Sequence, residues 1–211
     1  MKDNTSESLP SFAIRTCRGC IRCPHAVVTR DPSADLARIL DASGWAAFLA
    51  SQGHPIRHHQ QFRVAVAACP NGCSQPHIAD FALVATTSVL LDAGACTACG
   101  ACVAACVEDA FCLDDTIRID RNACLGCAAC VRVCPTGALR HGPDGYRVLV
   151  GGKLGRHPRL AHELGVFSPS EAMHVLERVV SVLMKHQHGR ERLGDVVERL
   201  GQNRFDPLVR P

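Results

Sequence analysis

Apolar positions in the middle of the chain follow spacings that are typical of β-strands. Residues 62–68 form a run rich in β-formers, and residues 146–150 alternate between apolar and polar side chains. Residues 78–91 are mostly apolar and predict a helical turn followed by a strand. The shorter segment Ile117–Ile119 predicts a further strand.

Other parts of the chain have apolar residues every three or four positions, which is the spacing of an α-helix. Ser33 precedes leucine and isoleucine residues on one helical face, which predicts a helix with Ser33 as its N-cap. A second helical stretch follows Gly44. Ser168 and Glu171 form the start signal of a longer helix, and residues 193–200 predict a short last one. Because helices and strands interleave, the sequence predicts an α+β fold.

Composition narrows the class of protein. The chain has 211 residues, of which 47% are hydrophobic and only 4% aromatic, so the core is predicted to be aliphatic. A net charge of +3 is too small to indicate nucleic-acid binding. Polar residues interrupt the longest apolar stretch, so no membrane span is predicted. Many cysteines without a secretory signal predict a cytoplasmic protein whose thiols are ligands and not disulfides.

Eight of the fourteen cysteines form a repeated motif. Residues 96–106 and 124–134 both follow C-x2-C-x2-C-x3-C, the signature of bacterial ferredoxins with two [4Fe-4S] clusters. In that signature the fourth cysteine of each run binds the other cluster. A zinc or disulfide module is the alternative, and the alanine and glycine spacers disfavour it. The predicted ligands are Cys96, Cys99, Cys102 and Cys134 for one cluster, and Cys124, Cys127, Cys130 and Cys106 for the other.

The motif also divides the chain into domains. Residues 94–142 are predicted to form an inserted ferredoxin domain within a host domain made of residues 13–93 and 143–211. The polar residues 1–12 are predicted to be a disordered tail. One departure from the ferredoxin pattern is Val107, which stands where a proline often follows the first run.

Four further cysteines, with spacing C-x5-C and C-x3-C, are too loosely arranged for a typical zinc finger: Cys17, Cys23, Cys69 and Cys73. These four cysteines and the segments 78–80, 146–158 and 190–201 occur in the same order as in siroheme-dependent sulfite and nitrite reductases. The chain resembles this family over roughly residues 14–206. The resemblance is strongest to dissimilatory-type or anaerobic sulfite reductase subunits with an inserted ferredoxin. It implies a sulfite-reductase-type half-domain as the host.

The resemblance implies a function as well as a fold. In that family four such cysteines hold a [4Fe-4S] cluster, and the last of them bridges to the siroheme iron; here that residue is Cys73. The chain would then be an oxidoreductase, or a subunit of one, with three [4Fe-4S] clusters and siroheme. An electron-donor protein would pass electrons to the ferredoxin clusters. These clusters would in turn pass electrons on for the six-electron reduction of sulfite or nitrite.

Siroheme carboxylates and oxyanion substrates require cationic side chains. Lys153 and Arg156 are favoured because they lie in the glycine-rich loop that resembles the family's motif. Arg63 keeps a positive charge where relatives have Lys-Phe-Lys, whereas Gln61 is neutral. All three are candidates for anion binding and catalysis. The wider set of candidates adds Arg15, Arg18, Arg57 and His157.

Several alternatives stay open. The family is built from two related halves, and only about fifteen residues precede Cys17 here, which predicts that a partner chain or a homodimer completes the site. A siroheme-free electron-transfer subunit needs only the twelve ligand cysteines. A relative of precorrin-3B synthase would bind a tetrapyrrole as substrate, although that enzyme ordinarily lacks the insert. Of the two remaining thiols, Cys112 is predicted to be buried and Cys20 could replace a neighbouring ligand.

Overall fold

The computed structural model describes residues 9–28, 30–53, 55–114 and 117–211, without the side chains of Cys20 and Ile21. Most of the predicted tail and the possible ligand role of Cys20 therefore lie outside the described residues. The strands are β1 Phe12–Thr16, β2 Phe62–Ala67, β3 Phe81–Leu91, β4 Phe111–Leu113, β5 Ile117–Ile119, β6 Leu139–Val150 and β7 His162–Phe167. The helices are α1 Gly19–Arg22, α2 Ser33–Ala42, α3 Trp45–Ser51, α4 Ala101–Ala104, α5 Ala129–Val133, α6 Pro169–His186, α7 Leu193–Leu200 and α8 Gln202–Val209.

Five strands form one mixed sheet in the order β1-β2-β3-β6-β7. Strands β1, β2 and β3 are parallel, and β6 and β7 are antiparallel to their neighbours. Because the carboxyl ends of parallel strands meet at one edge, the segments that follow β1 and β2 lie side by side. The backbone N–H of Cys17 donates to the carbonyl oxygen of Val66 at 2.9 Å across this edge. The topology thus brings together cysteines that are about fifty residues apart in sequence.

Alternation along the strands gives the sheet two unlike faces. One face carries large side chains such as Val64, Leu83 and Val148, which pack against Leu36 of α2 and Leu176 of α6. The other face is lined by small residues, chiefly alanines at 65, 67 and 82. The sequence prediction of an aliphatic core is confirmed by this arrangement.

Strands β3 and β6 continue beyond the sheet as a long antiparallel ladder. Leu91 still pairs with Leu139, and the ladder changes register between Thr87 and Val89. The ladder carries residues 92–138, which contain the two-stranded sheet β4-β5 and the short helices α4 and α5. A separate apolar cluster, which includes Val89, Phe111, Ile117 and Leu139, forms the interior of this region.

The structure corrects some predicted elements. Ser33 is not an N-cap: the helix begins at Ser33, Pro32 occupies the cap position, and Asp31 accepts hydrogen bonds from Ser33. Among the described residues, strands β1, β4 and β7 and helices α1, α4, α5 and α8 were not predicted. Strand β1 has alternating half-exposed residues, β7 contains a glycine, and α8 contains Pro207, so each of them has a weak local signal. The mixed α/β architecture agrees with the prediction.

Helix α6 begins with a capping box. The Ser168 hydroxyl accepts from the backbone N–H of Glu171 at 3.3 Å, and the Glu171 carboxylate accepts from the backbone N–H of Ser168 at 2.8 Å. We expect Ser168→Ala to lower the free energy of unfolding by about 1 kcal/mol, because an N-terminal donor loses its partner. Denaturant unfolding measures this loss. Glu177→Ala, at an exposed position further along the same helix, is the control and should change stability by less than about 0.5 kcal/mol.

Candidate metal centres

The four cysteines of the first group line one cavity at the carboxyl edge of the parallel strands. Cys17 follows β1 and Cys69 follows β2, while Cys23 and Cys73 lie on the loops that continue from them. The cavity has a volume of about 650 Å³ and is open to solvent. Cys69 is buried and Cys73 is exposed. The four cysteines therefore include one on the inner wall of the cavity, Cys69, and one at its opening, Cys73.

Polar contacts and close packing shape this cavity around sulfur. The backbone N–H of Ala68 donates to the Cys17 Sγ at 3.2 Å, and the side-chain amide of Asn71 donates to the Cys73 Sγ at 3.0 Å. A β-carbon on Gly19 would lie 3.1 Å from the Cys17 Sγ and 3.2 Å from the Cys23 Cβ. Burial raises the pKa of Cys69, and negative charge on the other three thiols would raise it further. Thiolates here need a cationic partner such as iron.

Arginines occupy the same cavity. The side chains of Arg15, Arg18 and Arg22 are among its lining residues. Arg15 and Arg18 belong to the wider candidate set from the sequence, whereas Arg22 was missed. The sequence alone gives no reason to select Arg22. An arginine next to Cys23 becomes a candidate only when β1 and β2 are known to be neighbours in the sheet.

The favoured cations lie elsewhere. Lys153 is only 6% exposed, and its ammonium donates to the carboxylate of Asp195 at the start of α7. Arg63 contacts the His58 Nδ1 at 3.0 Å, and Arg156 is exposed. None of these three residues lines the cysteine cavity in the described part of the chain. The structure thus separates the predicted cations from the thiols that they were expected to accompany.

A buried ionic network explains the position of Lys153. The Asp80 carboxylate is 2% exposed and accepts from the Arg192 guanidinium at 2.7 Å and from the Arg63 backbone N–H at 2.9 Å. Asp195 accepts from the Arg192 backbone N–H at 2.9 Å and from Lys153. Burial raises the pKa of Asp80, and the charge of Arg192 opposes that rise. The network joins the start of β3 to α7.

A second cavity lies within residues 92–138. Cys96, Cys99 and Cys102 from the first run line it together with Cys134 from the second run. Thr136 and the backbone around Leu139 lower the pKa of Cys134 through hydrogen bonds to its sulfur. The residues of the cavity therefore combine both halves of the repeated motif.

The remaining four thiols are buried at Cys130 and partly covered at Cys106, Cys124 and Cys127. Burial raises the pKa of Cys130 to about 11, and the neighbouring Cys124 and Cys127 add to the shift. The Cys106 sulfur accepts from the Ala110 backbone N–H at 3.4 Å. Throughout the described ranges, no group of three or more Cys, His, Asp or Glu side chains converges on one point as a single metal ion requires.

Cys112 does not belong to any of these sets. Its side chain is exposed, and its sulfur lies 3.4 Å from a carboxylate oxygen of Asp114. The prediction of a buried thiol is wrong, because Cys112 occupies the outward position of β4 while Phe111 takes the inward one.

The family pattern described as "Nitrite and sulphite reductase 4Fe-4S domain" matches residues 12–210. The chain belongs to this family. The predicted resemblance is thereby confirmed. A coenzyme F420-dependent sulfite reductase from Methanocaldococcus jannaschii is 33% identical over 148 residues, which are 69% of this chain and 24% of that protein.

Two solved structures share the fold of this chain. Dissimilatory sulfite reductase I superposes with a TM-score of 0.62 at 22% identity, over 93% of this chain and 51% of that chain. The NirA protein of Mycobacterium tuberculosis superposes with a TM-score of 0.52 at 18% identity, over 91% of this chain and 26% of that chain. The chain thus spans about half or less of the length of each relative.

Among the described residues, no helix has both the length and the apolar character needed to cross a bilayer.

Proposed function

We propose that this member of the family is an iron–sulfur oxidoreductase that delivers electrons to a siroheme-coupled [4Fe-4S] centre for the reduction of sulfite or nitrite. The observation that carries the proposal is the shared cavity. Four thiols from two distant segments meet there, and three arginines line the same walls. Thiolates suit an iron–sulfur cluster, and arginines suit carboxylates and oxyanions.

Cys17, Cys23, Cys69 and Cys73 would hold the cluster, with Cys73 shared with the siroheme iron. Cys73 is the exposed member of the set, so its sulfur can meet a second group at the mouth of the cavity. Asn71 donates a hydrogen bond to that sulfur, which tunes a metal-bound thiolate. Siroheme, when bound, supplies the iron at which the anion is reduced by six electrons.

Arg15, Arg18 and Arg22 would bind the anionic groups at this cavity. A guanidinium can bind a carboxylate with two parallel hydrogen bonds, although Arg15 would first have to leave the side-chain oxygen of Gln75. Lys153 and Arg156 remain proposals for the siroheme periphery and Arg63 for the anion site, although Lys153 would first have to leave Asp195. The arginines of the cavity therefore carry more of the proposal than the cations favoured by the sequence.

Residues 94–142 would act as an inserted ferredoxin that holds two further [4Fe-4S] clusters. Support comes from the mixed origin of the cavity formed by Cys96, Cys99, Cys102 and Cys134. Cys124, Cys127, Cys130 and Cys106 would hold the second cluster. The two C-x2-C-x2-C-x3-C runs have the spacing of cluster ligands, which supports iron–sulfur clusters over zinc.

Spectroscopy with metal analysis tests the proposed function. Anaerobically purified protein should show the sharp Soret and red bands of siroheme, with about twelve inorganic sulfides per chain. Twelve sulfides without those bands would favour the siroheme-free electron-transfer subunit. The engagement of Lys153 with Asp195 is the observation that speaks for this second function. Stoichiometric zinc with no sulfide would contradict both functions.

We also propose that a second chain covers the cysteine cavity. Reduction of an anion at a haem needs converging cations and exclusion of water, whereas this cavity is open and Cys73 is exposed. We expect the purified chain to be slow or inactive with sulfite and nitrite when a reduced viologen supplies electrons. Size-exclusion chromatography with multi-angle light scattering supplies the control. Rapid turnover by a proven monomer would contradict this proposal.

A further inference from the structure

The two cysteine runs have the same spacing and opposite surroundings. In the first run Thr97, Ala98 and Cys99 are exposed. At the matching places in the second run, Leu125 and Cys127 are partly covered and Gly126 is buried. The repeat in the sequence therefore hides an asymmetry in the fold, since one cysteine loop faces solvent and the other faces protein.

The covered loop is fixed to strand β3. The backbone N–H of Thr87 donates to the carbonyl oxygen of Gly126 at 3.1 Å, and the Thr86 hydroxyl donates to the carbonyl oxygen of Leu125 at 2.9 Å. The Arg121 guanidinium adds a bond of 2.7 Å to the carbonyl oxygen of Val89. These contacts lie where the β3-β6 ladder changes register, so the irregularity of β3 provides the binding position for the loop.

Gly126 is required by this contact and not only by its backbone angle. A β-carbon there would lie 2.0 Å from the Thr86 Oγ1 and 2.5 Å from the Thr87 carbonyl oxygen. Ala98 holds the equivalent place in the first run at a similar positive φ, 52° against 66°. Because alanine is accepted at the exposed place, the close approach to β3 is what excludes it from the covered one.

The contact also lies at the edge of the sheet that carries Cys17 and Cys69. Ala67 of β2 pairs with Val84 of β3 in parallel register. Cys69 and Thr86 each follow two residues after that pair, so they emerge from neighbouring strands at the same edge. Neighbouring strands are about 5 Å apart. The register thus places the backbone of Thr86, whose side chain binds the covered loop, one strand away from Cys69 at the same edge of the sheet.

We propose that the Cys124–Cys130 loop is the exit of the insert and that the exposed Cys96–Cys102 loop is its entrance. This inference rests on the proposed function, in which both loops hold clusters. In the holoprotein the entrance loop would hold the cluster that accepts an electron from a one-electron donor protein, and the exit loop would hold the cluster from which that electron leaves the insert. The centre of Cys17, Cys23, Cys69 and Cys73 would take up the electron across β3. Gly126, Thr86 and Thr87 are positioning residues for that last transfer.

Solvent access of the two clusters tests the order directly. In the reduced full-length holoprotein, Cys99→Ser and Cys127→Ser assign the electron paramagnetic resonance signals of the two insert clusters. A soluble dysprosium complex should enhance the relaxation of the signal altered by Cys99→Ser several-fold more than that altered by Cys127→Ser. Equal or reversed enhancement would overturn the order. Sulfide analysis separates the two failures, because absent insert clusters would refute the proposed function instead.

A glycine pair tests the positioning role. Gly126→Ala should slow the arrival of electrons at the cluster of Cys17, Cys23, Cys69 and Cys73, because the added β-carbon would lie 2.0 Å from the Thr86 Oγ1 and force the loop away from β3. Freeze-quench resonance spectra after mixing with dithionite measure this rate. Gly137→Ala is the matched control, because Gly137 has a φ of 67° and open space around its α-carbon. Equal rates in both variants would overturn the role. If Gly126→Ala loses iron, Thr86→Val provides a second test, because it removes one hydrogen bond to the loop. Thr86→Val should slow electron arrival by a smaller factor, and an unchanged rate would count against the positioning role.

Discussion

Replacement of Cys73 by serine is expected to remove siroheme from the protein and to leave the two clusters of the insert intact. Cys73 is the exposed thiol of the first cysteine group, and the proposed bridge to the siroheme iron depends on its sulfur. A hydroxyl is a poorer ligand for iron than a thiolate, so the siroheme-to-protein ratio should fall at least about tenfold. The absorption spectrum and the sulfide content of the same sample measure both outcomes.

Cys112→Ser is the matched control for this experiment. Cys112 is also an exposed thiol, but it lies on β4 beside Asp114 and lines neither cysteine cavity. Its replacement should leave the siroheme bands unchanged. Full siroheme occupancy in Cys73→Ser would show that another residue supplies the bridge. Loss of insert sulfide in Cys73→Ser would show that the two regions do not assemble separately.

Arg192→Leu is expected to destabilise the host domain by about 3–5 kcal/mol, because it leaves the Asp80 carboxylate buried without its partner charge. Asp80 is 2% exposed, and its contact with Arg192 is 2.7 Å long. Denaturant unfolding under anaerobic conditions measures the loss. The double variant Asp80→Asn/Arg192→Leu should recover much of it, since a neutral amide can still accept from the Arg63 backbone N–H.

The surface pair of Arg199 and Glu191 provides the comparison. Their atoms are also 2.7 Å apart, but the Arg199 side chain is 34% exposed. Arg199 lowers the pKa of Glu191, and solvent screens much of that effect. Arg199→Leu should therefore change the free energy of unfolding by about 1 kcal/mol or less. Equal losses for the two arginine variants would mean that burial of the Asp80 pair contributes nothing special.

The sequence was most informative where chemistry depends on short spacings. The eight cysteines of the repeat could be assigned to two predicted ligand sets from intervals of two and three residues, and Cys96, Cys99, Cys102 and Cys134 of one set line a common cavity. Helix α6 could be placed from Ser168 because a capping box is also local. These predictions need no knowledge of which segments are neighbours in space.

Predictions that depend on distant partners were weaker. Lys153 was favoured for the anion site, but the sequence could not reveal that Asp195, forty-two positions later, accepts from its ammonium. Arg22 was missed because its position beside the thiols follows from the parallel pairing of β1 and β2. The unlike surroundings of the two cysteine runs were hidden for the same reason, as Thr86 and Thr87 approach only one of them.

The ladder of β3 and β6 has a consequence for how the protein matures. Leu91 and Leu139 are paired neighbours, so the two ends of residues 92–138 are already held together by the sheet. Because the ends are already paired, the entropic cost of bringing them together does not have to be met again when the segment becomes ordered. In the proposed holoprotein, iron would therefore be inserted into a segment whose two ends are already joined through the host sheet.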